Sequence, residues 1–426
     1  MNKISKVIGR MVFDSRGIPT VEAEVSTADG LYARAIAPSG ASKGKKEALE
    51  KRDGDDKYDG LSVTKNIRLI NTIINDALNG YQIEDQINID KLLIKLDGTE
   101  NKSSLGANTL IAVSMATLKL AALCNKKPLF SYLSGDNNNM LPIPQVQIIG
   151  GGAHAKGSLS LQDFMIIPNG AECFNTALEW VFRVYKIAGE ELKRKNVLYG
   201  VADEGGYWPY FPSNEESLSF LTNIIKISGF EPLKEISIAL DVAANNFKSG
   251  NKFILSENEF LDGNDLLSKY LTWINKYPII SIEDPFGEDD LDLFKELKEK
   301  SPSYMQIVGD DLVVTNATTI KQAYKHNAIN TVLIKPNQVG TITETQKAID
   351  TASSLNLMNI LSARSGETED TTISDLSVGW SIKQLKVGSF SRSERLAKWN
   401  QCLRIGEKMK NNYLMHNNSK LNWHCL

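Results

Sequence analysis

Three carboxylates and two amines recur in one local setting along this chain. Asp241 follows the apolar run 236–240, Glu283 follows 279–282, and Asp310 follows 306–309. Lys335 then follows 331–334 and Lys386 follows 384–385, with Arg364 shortly after 359–361. No His or Cys stands beside the three acids, and all-oxygen ligation selects a hard cation such as Mg²⁺ over zinc or copper. One such acid alone would as readily cap the following helix or pair with a lysine. Three in succession favour a metal site. A lysine near a divalent ion and a second cation has its ammonium form disfavoured, so it can serve as a base. Taking a proton from the carbon beside a carboxylate creates a dianionic enolate, which a divalent metal paired with a lysine base can stabilise.

These residues share a site only if the intervening elements gather strand ends. The successive polar residues lie 42, 27, 25, 29 and 22 positions apart, each gap long enough for a strand, a helix and two loops. Six or more such units predict a βα barrel, in which strand C-terminal ends point into one mouth. Upstream, β-like runs at 6–13, 20–26 and 31–37 are separated by Asp14-Ser-Arg-Gly17 and Asp29-Gly30. Helical spacing follows from 62 to 122, with Leu110, Val113, Ala116, Thr117 and Leu120 on one face after Gly106-Ala107-Asn108. Strands followed by helices predict a small α+β domain. A polar, turn-prone linker around 134–139 ends it. The expected architecture is α/β: a small α+β domain over 1–135 and a βα barrel over 136–426. The mixed charges of 43–59 read as a solvated loop. The Asn-rich tail from Lys410, with Asn411-Asn412 and Asn417-Asn418, reads as frayed, with docking on the barrel as the alternative.

Composition narrows the function classes. The 426 residues carry 48 Lys+Arg against 51 Asp+Glu and are 42% hydrophobic, which excludes wholesale disorder. Near-neutral charge argues against a dedicated nucleic-acid binder. No uninterrupted apolar stretch reaches membrane-helix length, and the first ten residues lack a signal-peptide pattern. Cys124, Cys173, Cys402 and Cys425 lie far apart, as free thiols in a reducing compartment would. A soluble, cytoplasmic protein without nucleic-acid or membrane partners is expected.

Two glycine-rich pieces add candidates. Asp203-Glu204-Gly205-Gly206 can carry Glu204 close to a ligand, although a simple turn acid fits equally well. Gly150-Gly151-Gly152-Ala153-His154-Ala155 matches GxGxxA, but a dinucleotide site needs a helix to open at once. Here residues 158–167 alternate like a strand instead, and the dinucleotide reading is rejected.

From about residue 7 to about 409 the chain resembles enolase. The resemblance rests on Phe13-Asp-Ser-Arg-Gly17, Pro38-Ser-Gly-Ala-Ser42, Asp97-Gly-Thr-Glu-Asn-Lys-Ser103, Leu105-Gly-Ala-Asn108 and Asp203-Glu-Gly-Gly206. It continues in Ala239-Leu-Asp-Val-Ala-Ala244, Ser281-Ile-Glu-Asp-Pro285, Gly309-Asp-Asp311, Leu333-Ile-Lys-Pro-Asn-Gln338, Arg364-Ser-Gly-Glu-Thr-Glu-Asp370 and Ser391-Arg-Ser-Glu-Arg395. It implies an N-terminal α+β capping domain on a modified, TIM-like (βα)8 barrel, and dehydration of 2-phospho-D-glycerate to phosphoenolpyruvate by a homodimer or higher homo-oligomer with two Mg²⁺ per active site. Asp241, Glu283 and Asp310 would hold the first ion, and Ser42 would help hold the second. Lys335 would abstract the proton and Glu204 would protonate the departing hydroxyl. Lys386 would hold the substrate carboxylate, and Arg364 and Ser365 its phosphate. Gln162 would line the metal–carboxylate pocket and His154 would close over the ligand.

Several positions depart from the family pattern. Asp163 stands where enolases have Glu, and Ala363 where they have His before Arg-Ser-Gly. Lys43, Ile18, Gly150, Trp208 and Tyr210 also differ. The departures gather on the leaving-group side and leave three readings open. They are an ordinary enolase, a diverged dehydratase on a related 2-phospho or phosphonate acid with a pocket reshaped by Asp163, Ala363, Trp208 and Tyr210, and a non-catalytic binding paralogue.

Overall fold

The computed structural model describes residues 2–135, 140–155, 157, 159–409 and 413–416. Alternating apolar and polar residues form an antiparallel meander of β1 (Ile4–Phe13), β2 (Pro19–Thr27) and β3 (Tyr32–Ile36). The β1–β2 turn is tied by Asp14, whose Oδ1 accepts from the backbone N–H of Arg16 and of Ile18, both at 2.9 Å. Four helices follow: α1 (Thr64–Leu69), α2 (Asn75–Leu78), α3 (Gln86–Asp97) and α4 (Ala107–Cys124). By length and composition alone α4 could cross a membrane. However, 83% of it is buried inside the protein, where it packs on β2 and β3 as a core helix. The expected linker begins inside a further helix, α5 (Leu129–Ser134), and its residues 136–139 lie outside the described set.

The second part runs β4 (Ile143–Gly150), β5 (Asp163–Ile167), α6 (Phe174–Arg194), β6 (Leu198–Val201), β7 (Tyr207–Pro209), α7 (Asn214–Ile227) and β8 (Ser237–Asp241). A small sheet of β9 (Lys248–Ser249), β10 (Lys252–Ser256) and β11 (Glu259–Leu261) precedes α8 (Gly263–Lys276). The regular rhythm then sets in with β12 (Ile279–Glu283), α9 (Leu291–Lys300), β13 (Gln306–Gly309), α10 (Ala317–Lys325), β14 (Thr331–Ile334) and α11 (Ile342–Ser354). It ends with β15 (Met358–Ser362), α12 (Thr372–Gly379), β16 (Gln384–Ser389) and α13 (Ser393–Met409). Eight of these strands close into a barrel in the order β4, β5, β8, β12, β13, β14, β15, β16, with β16 returning to β4. Every residue of β8, β12, β13 and β14 is buried, as expected of strands with side chains inside and helices outside.

Four expectations need correction. First, β5 runs antiparallel to both neighbours and covers only Asp163–Ile167, not 158–167. The reversal puts its first residue, Asp163, level with Asp241 and Gly150 at the mouth. Second, Lys386 is the third residue of β16, opposite Ser362, rather than a residue beyond the strand. Third, the loop from Lys43 is not simply solvated, because Glu47, Glu50 and Asp53 turn inward while Asp55, Asp56 and Asp59 stay exposed. Asp53, buried, accepts from the N–H of Thr64 (2.7 Å) and Lys65 (3.0 Å) and so satisfies the start of α1. Fourth, residues 413–416 dock instead of fraying. Leu141 N–H donates to Leu414 O (2.9 Å), His416 N–H donates to Leu141 O (3.0 Å), and Met415 is buried. Docking wins because the backbone just before β4 needs partners. Asn411, Asn412, Asn417 and Asn418 lie outside the described residues.

The N-terminal part meets the barrel mouth through main chain. Ser39 and Gly366 exchange two N–H···O bonds of 2.8 Å, and Ser15 N–H donates to Glu367 O at 2.8 Å. A Cβ on Gly366 would lie 2.3 Å from Asp14 Oδ2, so this approach requires glycine.

Candidate active site

β8, β12 and β13 are neighbours in the barrel, so Asp241, Glu283 and Asp310 reach the mouth side by side. The two lysines meet them there. Lys386 Nζ donates to Asp241 Oδ2 (2.7 Å) and to both oxygens of Glu283 (2.7 and 2.9 Å). Lys335 Nζ donates to Asp310. Gln162 Nε2 supports Asp241 (3.1 Å) and Gln338 Nε2 supports Asp310 (3.0 Å). All five charged groups are buried.

Burial and mutual charge set their protonation. Burial pushes the Glu283 carboxyl well above its ordinary value, and the neighbouring Asp241 charge adds to this. Burial acts upward on Asp241 too, but Lys386 and Lys335 outweigh it and hold that carboxyl low. For Lys386 burial acts downward, yet Asp241 and Glu283 carry it well above the usual lysine value. Lys335 is also raised: burial opposes its charge, and Asp310 prevails. In the field of the protein's own residues each ammonium is favoured, because each amine has a carboxylate beside it; the expected disfavouring concerns the metal-loaded site.

The leaving-group side is built by a hairpin and a loop. Glu204 sits in the β6–β7 turn, where Gly205 adopts φ 92° and a Cβ would lie 2.6 Å from Ser391 O. His154 follows β4 in a single short turn, with no dinucleotide-type helix. Its Nδ1 lies 2.9 Å from Asp163 Oδ1 and its Nε2 3.7 Å from Glu204 Oε1. Gln147 also donates to Asp163 Oδ1, while Oδ2 has no hydrogen-bond partner and lies 3.9 Å from Lys386 Nζ. Burial acts against the imidazolium, but Asp163 and Glu204 overcome it and raise His154 to about 9. Burial acts upward on Glu204, but His154 and Arg395 hold it low.

Opposite lies an arginine wing. Arg364 Nη1 and Nη2 face Glu47, Asn337 and the Ser42 carbonyl, and Ser365 Oγ accepts from Ala41 N–H at 2.7 Å. Gly40 leaves room for this guanidinium, since a Cβ there would sit 1.9 Å from Nη2.

At the centre is a cavity of about 10 Å³, enough for roughly one water. Ser42, His154, Gln162, Glu204, Asp241, Lys335, Arg364, Ser365 and Lys386 line it. Glu283, Asp310 and Asp163 stand directly behind, bonded to Lys386, Lys335 and His154. Cavities of about 620 and 670 Å³ lie elsewhere, but the convergent charges are here. Ala363 also lines the wall. Tyr210 does not: it is exposed, and its ring is tilted against that of Tyr199 with centroids 6.0 Å apart. Its expected part in reshaping the pocket is withdrawn, whereas Trp208 lies against the loop that carries His154, its Nε1 3.3 Å from where a Cβ on Gly157 would stand.

Asp241, Glu283 and Asp310 offer only carboxylate oxygens, the donors a hard cation takes, and Lys386 and Lys335 hold those oxygens in this structure. Among the described residues, Asp284, Asp310 and Asp311 bring oxygens within 4.8 Å of one another, as do His154, Asp163 and Glu204 with their ligand atoms; the expected set of Asp241, Glu283 and Asp310 shares only Asp310 with these groups. Asp284 is already engaged by the N–H groups of Asp310 (2.9 Å) and Asp311 (2.6 Å), and so acts as an anchor for the loop. Asp284, Gln338 and Glu47 were missed as site residues. The first two stand inside motifs already singled out, whereas Glu47 was hidden in a charged run. Residues 4–133 match the family model described as enolase, N-terminal domain, and residues 138–422 match that described as enolase, C-terminal TIM barrel domain.

Proposed function

The chain belongs to the enolase family, and from that premise we propose that it dehydrates 2-phospho-D-glycerate to phosphoenolpyruvate with Mg²⁺. Asp241, Glu283 and Asp310 would hold the first ion and Ser42 would help hold the second. Bound there, the metal supplies the positive charge that an enolate dianion requires. Lys335 takes the proton from the carbon beside the substrate carboxylate, which requires that Asp310 no longer support its ammonium. Lys386 orients that carboxylate and Arg364 with Ser365 holds the phosphate. Glu204 passes a proton to the departing hydroxyl. In this structure His154 and Arg395 hold the Glu204 carboxyl low, and His154 Nε2 lies 3.7 Å from it.

The observation that supports this most is the meeting of three buried carboxylates, two ammonium groups and an arginine around one cavity. Such a concentration of buried charge is costly without a chemical use. Purified protein with Mg²⁺ and 2-phosphoglycerate is expected to form phosphoenolpyruvate at roughly 1–10³ per second. Intact Mg²⁺ binding with no turnover would reject the reading.

Ala363 and Asp163 favour a second reading, a dehydratase for a related 2-phospho or phosphonate acid. A methyl lines the wall, and the Asp163 carboxylate is turned to His154 and Gln147. Under it, trace phosphoenolpyruvate formation rises when Ala363→His and Asp163→Glu are combined. On the resemblance, we also propose a homodimer, which sedimentation of the purified chain would check, and a cytoplasmic location, which cell fractionation would check.

A further inference from the structure

We infer that Glu47 is an internal competitor for the phosphate-binding arginine, so that its carboxylate sets how tightly the site holds a phosphoryl group. This rests on the reading of Arg364 as the phosphate residue.

A guanidinium has five N–H groups, four of them terminal. In Arg364 four terminal bonds go to the protein itself. Nη1 donates to Glu47 Oε2 (3.2 Å) and Asn337 Oδ1 (3.2 Å), and Nη2 donates to Glu47 Oε1 (3.3 Å) and Ser42 O (2.9 Å). An incoming phosphoryl group therefore finds the fork occupied. Glu47 occupies it as an anion of the same geometry, with both carboxylate oxygens across both nitrogens. The pair is dry, its side chains only 3% and 7% exposed, so it is little screened by solvent.

The grip is also loose. Charge-assisted N–H···O bonds typically close to about 2.7–2.9 Å, whereas these stay at 3.2 and 3.3 Å. Glu47 Oε1 is shared with Gly44 N–H and Gln338 Nε2, both at 3.2 Å. A phosphoryl group brings three acceptor oxygens and close to two negative charges, more than one shared carboxylate offers. Glu47 and Ser42 lie on one loop, so the phosphate that displaces one carboxylate also draws on the contact made by the Ser42 carbonyl. If Glu47 served only to hold the guanidinium in place, removing its charge would weaken anion binding. As a competitor, its removal strengthens binding.

Titration calorimetry of the full chain with inorganic phosphate separates these cases. Glu47→Gln keeps the shape and removes the charge, and is expected to bind phosphate about tenfold more tightly, with steeper weakening by salt. Should that variant not fold, Glu47→Asp, which withdraws the carboxylate while keeping the loop's charge, is expected to tighten binding in the same direction. Unchanged or weaker phosphate binding in the folded variant overturns the inference. Arg364→Gln is measured alongside. If it loses phosphate while Glu47→Gln shows no gain, only the competition fails. If it binds as well as the parent chain, the phosphate assignment fails and the inference with it.

Discussion

Each buried amine at the mouth holds at least one carboxylate. Lys386 alone bridges Asp241 on β8 and Glu283 on β12. Removing it leaves two unpaired acids, so Lys386→Met is expected to cost about 3–5 kcal/mol in urea unfolding without metal. Added Mg²⁺ should recover part of that loss, and an equal loss with and without Mg²⁺ would count against ion binding by those acids. His154 offers a second test. Its value rises from 6.5 unfolded to about 9 folded, so the stability it contributes is complete below about pH 6.5 and disappears as pH climbs through 9. Proton NMR of the ring should show that high titration, and Asp163→Asn should lower it. The acids and lysines were legible because each ends or closely follows an apolar run. Glu47 was not, since one inward-turned carboxylate cannot be told from its solvated neighbours without the arginine that meets it.

At the scale of elements, the barrel from β12 onward was legible because one strand and one helix fill each gap. The reversal of β5 was not. Its five residues are all buried, and such a run carries no mark of direction. The reversal matters, because it brings the start of a strand, and Asp163 with it, to a mouth otherwise built from strand ends. Helix α12 makes its own prediction. Asp375 in its first turn is pushed by burial to about 6, although Gln401 on α13 donates to it at 3.0 Å. A raised carboxyl keeps its proton longer in the folded state, so stability declines as pH rises from about 4 through 6. Asp375→Asn is expected to remove that decline and to gain on the order of 2 kcal/mol above it. The check is urea unfolding on both sides of the window; a gain of the same size at low pH would exclude burial of the charge as its cause.

For the whole molecule, the mouth is complete only where the two parts touch. Ser42 and Glu47 come from the N-terminal side, and Arg364 and Asp310 from the barrel. A cation bound by the native mouth and not by the unfolded chain adds to overall stability. Millimolar Mg²⁺ is therefore expected to raise the melting temperature by several degrees, and Glu283→Gln to cancel the rise, as scanning calorimetry would read it. The barrel and its capping part could be anticipated from pattern, but the Ser39–Gly366 bonds between them could not, because peptide groups leave no trace in residue type.

That last contact has a consequence for how this protein can change. A seam made of hydrogen bonds between peptide groups asks only two things of the residues along it: no proline at a donating position, and glycine at 366. Substitutions in the loops on either side, 40–47 and 363–365, can therefore reshape the grip on a phosphorylated acid while the walls they hang from stay moored.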